Sequence, residues 1–286
     1  MPAVSVIIPT FNRAHCLRTA VDSVLSQSFS DLELIISDDG STDDTAGLLA
    51  SYTDSRLKHL KSDSNSGAAA ARNKAIAVAT SPLIALLDSD DFWLPAKLET
   101  HVAWMDSNSG VLAAFTDYQF LRTKNNKLTV RRPQEERSDW AWDLLLYCRA
   151  AAGSTLIARV KAFETYGGFD EALQRFEDWD WLLKLAFDQK LAKVPFVGSQ
   201  ITRRGHFSWA DLEEAQAVIR QRWSPKAIEL FGKAGVDRLQ AGRHLQQATS
   251  AHDQGNKFAT VRHLTTAFRL QPLSVAKFCF SRLTGL

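Results

Sequence analysis

The sequence predicts an α/β fold: a mostly parallel sheet flanked by helices over residues 1–208, then an all-helical extension over residues 209–286. Three observations predict it. Short apolar runs alternate with amphipathic stretches through the first half of the chain, the order that builds strand-helix-strand units. Two of those runs, Leu34-Ile35-Ile36 and Leu83 to Leu87, are continuously apolar, as parallel strands buried on both faces are. From about Trp209 onward strand patterns give way to helical ones, with Pro225 and Pro272 as breaks or helix starts.

Taken in order, Val4 to Ile8 reads as the first strand, and Leu17, Ala20, Val21, Val24 and Leu25 recur at helical spacing behind it. Leu32 to Ile36, Leu57 to Leu60, Leu83 to Leu87 and Leu112 to Phe115 are further strands, with helices expected over Thr42 to Tyr52 and Ala68 to Ala79. The polar, weakly periodic segment from Leu121 to Arg137 predicts a loop. Order resumes at Trp140 to Ala152 and Ser154 to Ala158, followed by a Gly167-Gly168 turn, a helix over Glu177 to Asp188 and a strand at Val194 to Val197.

Composition narrows the function classes. The net charge of +2 is too balanced for a nucleic-acid footprint. Cys16, Cys148 and Cys279 are widely spaced and odd in number, which supports neither a disulfide framework nor a zinc site and points to a reducing, cytoplasmic compartment. Met1-Pro2-Ala3 leads straight into a strand pattern with no signal-peptide features, and no apolar run reaches the roughly 18 residues of a spanning helix.

In open parallel sheets ligands bind beyond the carboxyl ends of the strands. Three polar segments stand there and are expected to share one rim: Pro9-Thr10-Phe11-Asn12-Arg13, Asp38-Asp39-Gly40-Ser41 and Asp88-Ser89-Asp90-Asp91. Asp88 and Asp90, two residues apart at a strand end, point to the same side and suit a hard divalent ion, Mg²⁺ or Mn²⁺. Asp90 or Asp91 capping the helix near Pro95 is the alternative. The adjacent acids Asp38 and Asp39 exceed what a Gly40 turn and a Ser41 cap require, and a carboxylate there suits a uracil N–H. Asn65 to Asn73 opens a helix whose N-terminus at Gly67 could face an anion, with Arg72 one turn in reaching a diphosphate. Asp178 shares its helix face with Trp181, Leu182 and Leu185, a poorly solvated setting suited to a general base; helix-start capping competes. In Arg203-Arg204-Gly205-His206, a neutral His206 could join a metal shell and the arginines could contact phosphate.

Together these segments, from Val4 to His206, resemble the family 2 glycosyltransferases of the nucleotide-sugar-binding GT-A fold. The resemblance implies a nucleoside-contacting loop at Pro9, Thr10, Phe11 and Arg13, a base-recognising acid at Asp39, and a D-x-D motif at Asp88-Ser89-Asp90 with Asp88 nearer the ribose and Asp90 on the metal. Gly167-Gly168-Phe169-Asp170-Glu171 followed by Glu177-Asp178 is similar to the family's acceptor-side segment, which ends in the catalytic base. The basic-histidine segment is present at looser spacing. The implied activity is inverting, metal-dependent transfer of a sugar from a UDP-linked donor to an acceptor hydroxyl, in cell-surface polysaccharide or glycolipid synthesis. Alongside the site residues named above, Gly67, Arg72 and Ser89 are expected to contact the donor, and Asp88 and His206 to join Asp90 on the metal.

Two other readings stay open. A nucleotidyltransferase shares the sheet and the metal carboxylates, although its usual glycine-rich loop is missing after the first strand. An inactive sugar-nucleotide-binding or assembly module would act through the helical tail. Phe258, Val261, Leu264 and Phe268 follow helical spacing, so that tail is expected to pack on the catalytic domain, or to rest its basic, apolar end on an anionic membrane at the inner face. Trp140, Trp142, Trp179 and Trp181 are candidates either for stacking on sugar rings or for the core.

Overall fold

The computed structural model describes residues 1–122, 127–132, 139–202 and 209–284. Its first half alternates as predicted: β1 (Val4–Thr10), α1 (Ala14–Leu25), β2 (Leu32–Asp38), α2 (Thr45–Ala50), β3 (Leu57–Lys61), α3 (Ala68–Val78) and β4 (Leu83–Leu86). Then come β5 (Phe92–Trp93), α4 (Lys97–Ser107), β6 (Ala113–Arg122), β7 (Lys127–Arg131), α5 (Trp140–Leu146), α6 (Ala152–Thr155) and β8 (Leu156–Arg159). The remainder is α7 (Val160–Tyr166), α8 (Glu177–Phe187), β9 (Leu191–Ile201), α9 (Trp209–Phe231), α10 (Lys233–Asp253), α11 (Lys257–Leu270) and α12 (Pro272–Thr284).

The strands form one sheet in the order β3-β2-β1-β4-β8-β6-β9-β5, with β7 paired to β6. Strands β3, β2, β1 and β4 are parallel. Beyond them the sheet is mixed, because β8 runs antiparallel to both β4 and β6, while β9 is parallel to β6. The fold is therefore the α/β sheet with an all-helical extension that the sequence predicts, parallel on one side and mixed on the other. Every residue of β1 and β2 is buried, which explains their continuous apolar runs. Val6, Ile8, Leu34 and Ile36 meet Leu17, Val21 and Val24 of α1 and Leu98 and Met105 of α4 in one core. Glu33 and Asp38 are the charged exceptions in β2; burial pushes the Glu33 pKa up, but hydrogen bonds from Lys58, Ser5 and Thr80 bring it down to about 2.

Three departures have plain causes. The expected loop from Leu121 to Arg137 contains the end of β6 and all of β7, a hairpin whose outer strand pairs on one side only and so needs no apolar signature. Pro225 lies inside α9 without ending it, at an exposed turn where Pro225 and Gln221 both face solvent. The chain also divides into compact units of residues 1–133 with 150–203, and 134–149 with 204–286, so that α5, expected in the first segment, packs within the helical unit.

The reason lies in that unit's core. Leu146 of α5 clusters with Ala241, Leu245, Ala267, Val275 and Phe278. Arg238, 1% exposed, donates to the Trp142 carbonyl at 2.5 Å and to Ser274 at 2.7 Å, pairs with Asp143 at 3.3 Å, and lies over the Trp142 ring at 4.4 Å. No helix among the described residues is long and apolar enough to cross a membrane. Removing the Arg238 side chain leaves Asp143 without this counter-charge, and breaking a buried pair on one side costs about 3–5 kcal/mol. Arg238→Ala should therefore lower the denaturation midpoint of the helical unit, measured by hydrogen exchange at the amides of α5 and α10.

Candidate active site at the sheet rim

The first two polar loops are joined directly. Thr10 stands beside Asp38 in register, and the Asp39 N–H donates to the Thr10 carbonyl at 2.8 Å. Asn12 adopts a left-handed backbone (φ 53°), which Asn tolerates; its Oδ1 accepts the N–H groups of Thr42 and Asp43 at 2.8 and 3.3 Å. Pro9 and Thr10 are buried, Phe11 is 41% exposed and Arg13 is half-buried.

The adjacent acids divide their work. Asp38 holds the turn, accepting the Ser41 N–H at 2.9 Å and lying 3.4 Å from His59 Nε2. Asp39 turns toward α3, where its Oδ2 accepts the N–H groups of Ser66 and Gly67 at 2.8 and 2.7 Å. Two donors expected to face an anion are thus already taken by a side chain. Gly67 caps α3 at φ 95°, a conformation that excludes other residues at low cost. The second oxygen of Asp39 is buried with no partner among the described residues, as is the hydroxyl of Thr10.

Arg72, expected toward a diphosphate, is 5% exposed and bridges two carboxylates: Nη1 donates to Glu177 at 2.6 Å and Nη2 to Asp88 at 2.7 Å. Burial opposes its charge, but Asp88 and Glu177 raise the guanidinium pKa further. One cation therefore ties α3, the end of β4 and the start of α8 together. The Glu177 side of this bridge escaped sequence reading because the partners are 105 residues apart.

The Asp88-Ser89-Asp90-Asp91 segment turns after β4, and none of its acids caps α4, which begins after Ala96. Asp88 has its side chain 39% exposed, with Gly153 beneath it; a Cβ at position 153 would come within 2.4 Å of the carboxylate. Ser89 is buried, and Asp90, 21% exposed, lies 3.6 Å from Arg13. Asp91, expected from sequence only as a possible helix cap, is buried and accepts from Ser154 Oγ at 2.5 Å and from the Thr202 N–H at 2.6 Å. Burial and then the Asp88 charge push its pKa up to about 8. A third acid at the end of a buried strand was the available signal.

Asp178 sits in the first turn of α8, which enters through Phe176 in a left-handed conformation (φ 63°). Its carboxylate accepts the Trp179 N–H at 2.7 Å. Burial first, then the Glu177 charge, push its pKa up to about 7 against the opposing pull of Arg72. The four tryptophans belong to the core: Trp140, Trp142, Trp179 and Trp181 are each at most 8% exposed, and Trp181 stacks on Phe163 at 4.6 Å.

Among the described residues no cluster of three or more His, Cys, Asp or Glu side chains could hold a metal. Asp88 and Asp90 nevertheless fit a hard divalent ion that completes its shell with substrate phosphates: both offer only oxygens, and the missing side chain at Gly153 leaves Asp88 its room. Arg203, Arg204 and His206 lie outside the described residues.

With this geometry in view, the sequence matches the family described as Glycosyl transferase family 2 over residues 5–165, more than half of the chain. It is 41% identical over 106 residues to the UDP-Glc:alpha-D-GlcNAc-diphosphoundecaprenol beta-1,3-glucosyltransferase WfgD of Escherichia coli, a match covering 37% of this chain and 42% of that one. It is 43% identical over 122 residues to the putative teichuronic acid biosynthesis glycosyltransferase TuaG of Bacillus subtilis, covering 42% and 48%. The chain thus spans less than half the length of these relatives. The fold is that of S. aureus TarS, solved with UDP-GlcNAc, at a TM-score of 0.67 and 20% identity over 96% of this chain and 82% of that one. It is also that of the mannosyltransferase PcManGT from Pyrobaculum calidifontis, solved with GDP-Man and Mn²⁺, at 0.62 and 21% over 99% and 80%. The family match places the chain among the family 2 glycosyltransferases.

A carboxyl whose pKa rises from 3.8 to about 7 on folding keeps its proton in the native state where the unfolded chain has lost it. The stability this group lends is therefore full below pH 3.8 and declines as the pH climbs to about 7. Asp178→Asn removes that decline. Thermal unfolding across this range should find the variant level with wild type at the acid end and several degrees more stable above neutrality.

Proposed function

Because the chain belongs to glycosyl transferase family 2, we propose that it transfers a sugar from a UDP-linked donor to a hydroxyl of a lipid-linked saccharide acceptor, with inversion. The observation that carries this reading is the Arg72 bridge, which draws Asp178, the candidate base, into the electrostatic reach of Asp88, the donor-side carboxylate. A base at one edge and a diphosphate site at the other is the arrangement a single displacement requires.

In this reading the unpartnered Asp39 oxygen accepts a uracil N–H, and the loop from Pro9 to Arg13 lines the nucleoside. The names of the E. coli relative and of the TarS complex both specify uridine donors, which supports UDP over GDP. Asp88 and Ser89 meet the ribose side of the donor. Gly67 approaches it closely for want of a side chain, and Arg72 contributes positive potential from beneath Asp88. Asp90 with Asp88 would hold Mg²⁺ or Mn²⁺, which when bound neutralises charge on the diphosphate.

Asp178 removes the proton from the acceptor hydroxyl as the oxygen attacks the anomeric carbon. The bond to the diphosphate breaks on the opposite face, and the nucleoside diphosphate leaves. A carboxylate with a pKa near 7 is a far stronger base than one at its ordinary value, yet is still ionised in good part at neutral pH. The acceptor named for the E. coli relative, a diphosphoundecaprenol-linked GlcNAc, supports a glycolipid acceptor and cell-surface polysaccharide synthesis. We place the reaction in the cytoplasm, at the inner face of the membrane.

Two measurements test this. With UDP at about a hundred times its dissociation constant, binding adds roughly 2.7 kcal/mol, so UDP with Mn²⁺ should raise the melting temperature by several degrees. Asp90→Asn should lose the Mn²⁺-dependent part of that shift. In turnover assays with UDP-sugars and a lipid-linked acceptor, kcat/KM should rise with pH and level off above about 7. Asp178→Asn should lower kcat about 10³-fold while leaving the UDP shift intact. Nucleotide binding without turnover in wild type would favour the inactive binding module instead.

A further inference from the structure

Helix α11 has two faces of opposite character. His263 and Ala267 are buried and Leu264 packs against the core of the helical unit, whereas Phe258, Val261, Arg262, Thr265, Phe268 and Arg269, recurring at intervals of three and four, are all exposed. Phe258 is 80% exposed, Val261 63% and Phe268 51%, and Leu273 in the first turn of α12 is 80% exposed. Of the residues at helical spacing in the sequence, Phe258, Val261 and Phe268 are thus exposed, while Leu264 packs against the core of the helical unit. A single exposed apolar residue needs no explanation; three on one face of a helix and a fourth at the start of the next do.

The charge on the same helices has one sign. From Lys257 to Leu286 the sequence contains Lys257, Arg262, Arg269, Lys277 and Arg282 and no Asp or Glu, although the whole chain is nearly balanced at +2. Lys257, Arg262, Arg269 and Lys277 are exposed among or beside the apolar side chains. Cations interleaved with phenylalanines make poor contact with an ordinary protein surface, where each would need an acid opposite it. A bilayer supplies mobile anions at the level where Lys and Arg side chains extend, with acyl chains immediately below.

We propose that this face of α11 and the start of α12 docks on an anionic lipid bilayer. Phe258, Val261, Phe268 and Leu273 enter the boundary between headgroups and acyl chains, and Lys257, Arg262, Arg269 and Lys277 meet lipid phosphates. Docking of this kind does not depend on the transfer chemistry. It adds to the proposed lipid-linked acceptor a surface of the protein and a class of lipid.

Co-sedimentation with vesicles of phosphatidylcholine alone, and of phosphatidylcholine with phosphatidylglycerol, tests it on the full chain. Wild type should bind the anionic vesicles, less so in high salt, and bind the neutral ones weakly or not at all. F258S/L273S and R262Q/R269Q should each weaken binding about tenfold or more, in keeping with the contribution of each apolar or basic group at a membrane surface. All four positions are exposed, so both variants should keep the wild-type melting temperature and UDP shift, which separates failure to dock from failure of the donor site. Absence of wild-type binding to anionic vesicles would overturn the proposal, as would binding unchanged in both variants. A concentration-dependent dimer abolished by F258S/L273S, with no vesicle binding, would assign the face to a second copy of the chain and overturn it equally.

Discussion

A guanidinium buried to 5% exposure between two carboxylates is the constraint on which the site depends. Taking Arg72 out of water carries a large desolvation penalty, offset only while both Asp88 and Glu177 stay in place. The converse matters as much. Without the cation, Asp88, Glu177 and Asp178 would face one another as like charges, and the start of α8 would lose its polar tie to the end of β4. Arg72 thus makes possible a concentration of acids that the sheet alone would disperse.

The mixed part of the sheet has a bearing on this. The parallel strands β1, β2 and β4 deliver Thr10, Asp39 and Asp88 to the rim by the ordinary rule for such sheets. The residues that support them come from elsewhere. α6, just before antiparallel β8, sets Gly153 beneath Asp88 and Ser154 against Asp91, and the end of β9 donates the Thr202 N–H to the same Asp91. The rim acids stand on the parallel half while the groups that seat them arrive from the mixed half.

What could be read from sequence follows the range of the interactions. Strands buried on both faces announce themselves, and β1, β2 and β4 were legible because continuous apolar runs have few other uses. The shared rim followed from topology, and the Asp39 and Asp178 candidates from residue type at strand and helix ends. The hairpin strand β7 was not legible, since a strand paired on one side carries no apolar pattern. The packing of α5 with the helical unit rests on Arg238 reaching Trp142 and Asp143 across more than ninety residues, and the Arg72 bridge spans 105. Pairings at that separation leave no local trace: Arg72 reads equally well as a phosphate ligand until its partners are seen.

The entry to α8 through Phe176 in a left-handed backbone carries a consequence for redesign. A side chain forced into that region stores strain of about 1–3 kcal/mol, and here the surrounding contacts must hold it. A glycine at this position would relax the strain but free the helix to start at other angles, loosening Glu177 from Arg72. Anyone exchanging the segment that opens α8 between relatives must therefore transplant a junction, Phe176 through Asp178 with a matching arginine, and not a helix alone. The portable unit is a charge pair and the kink that aims it.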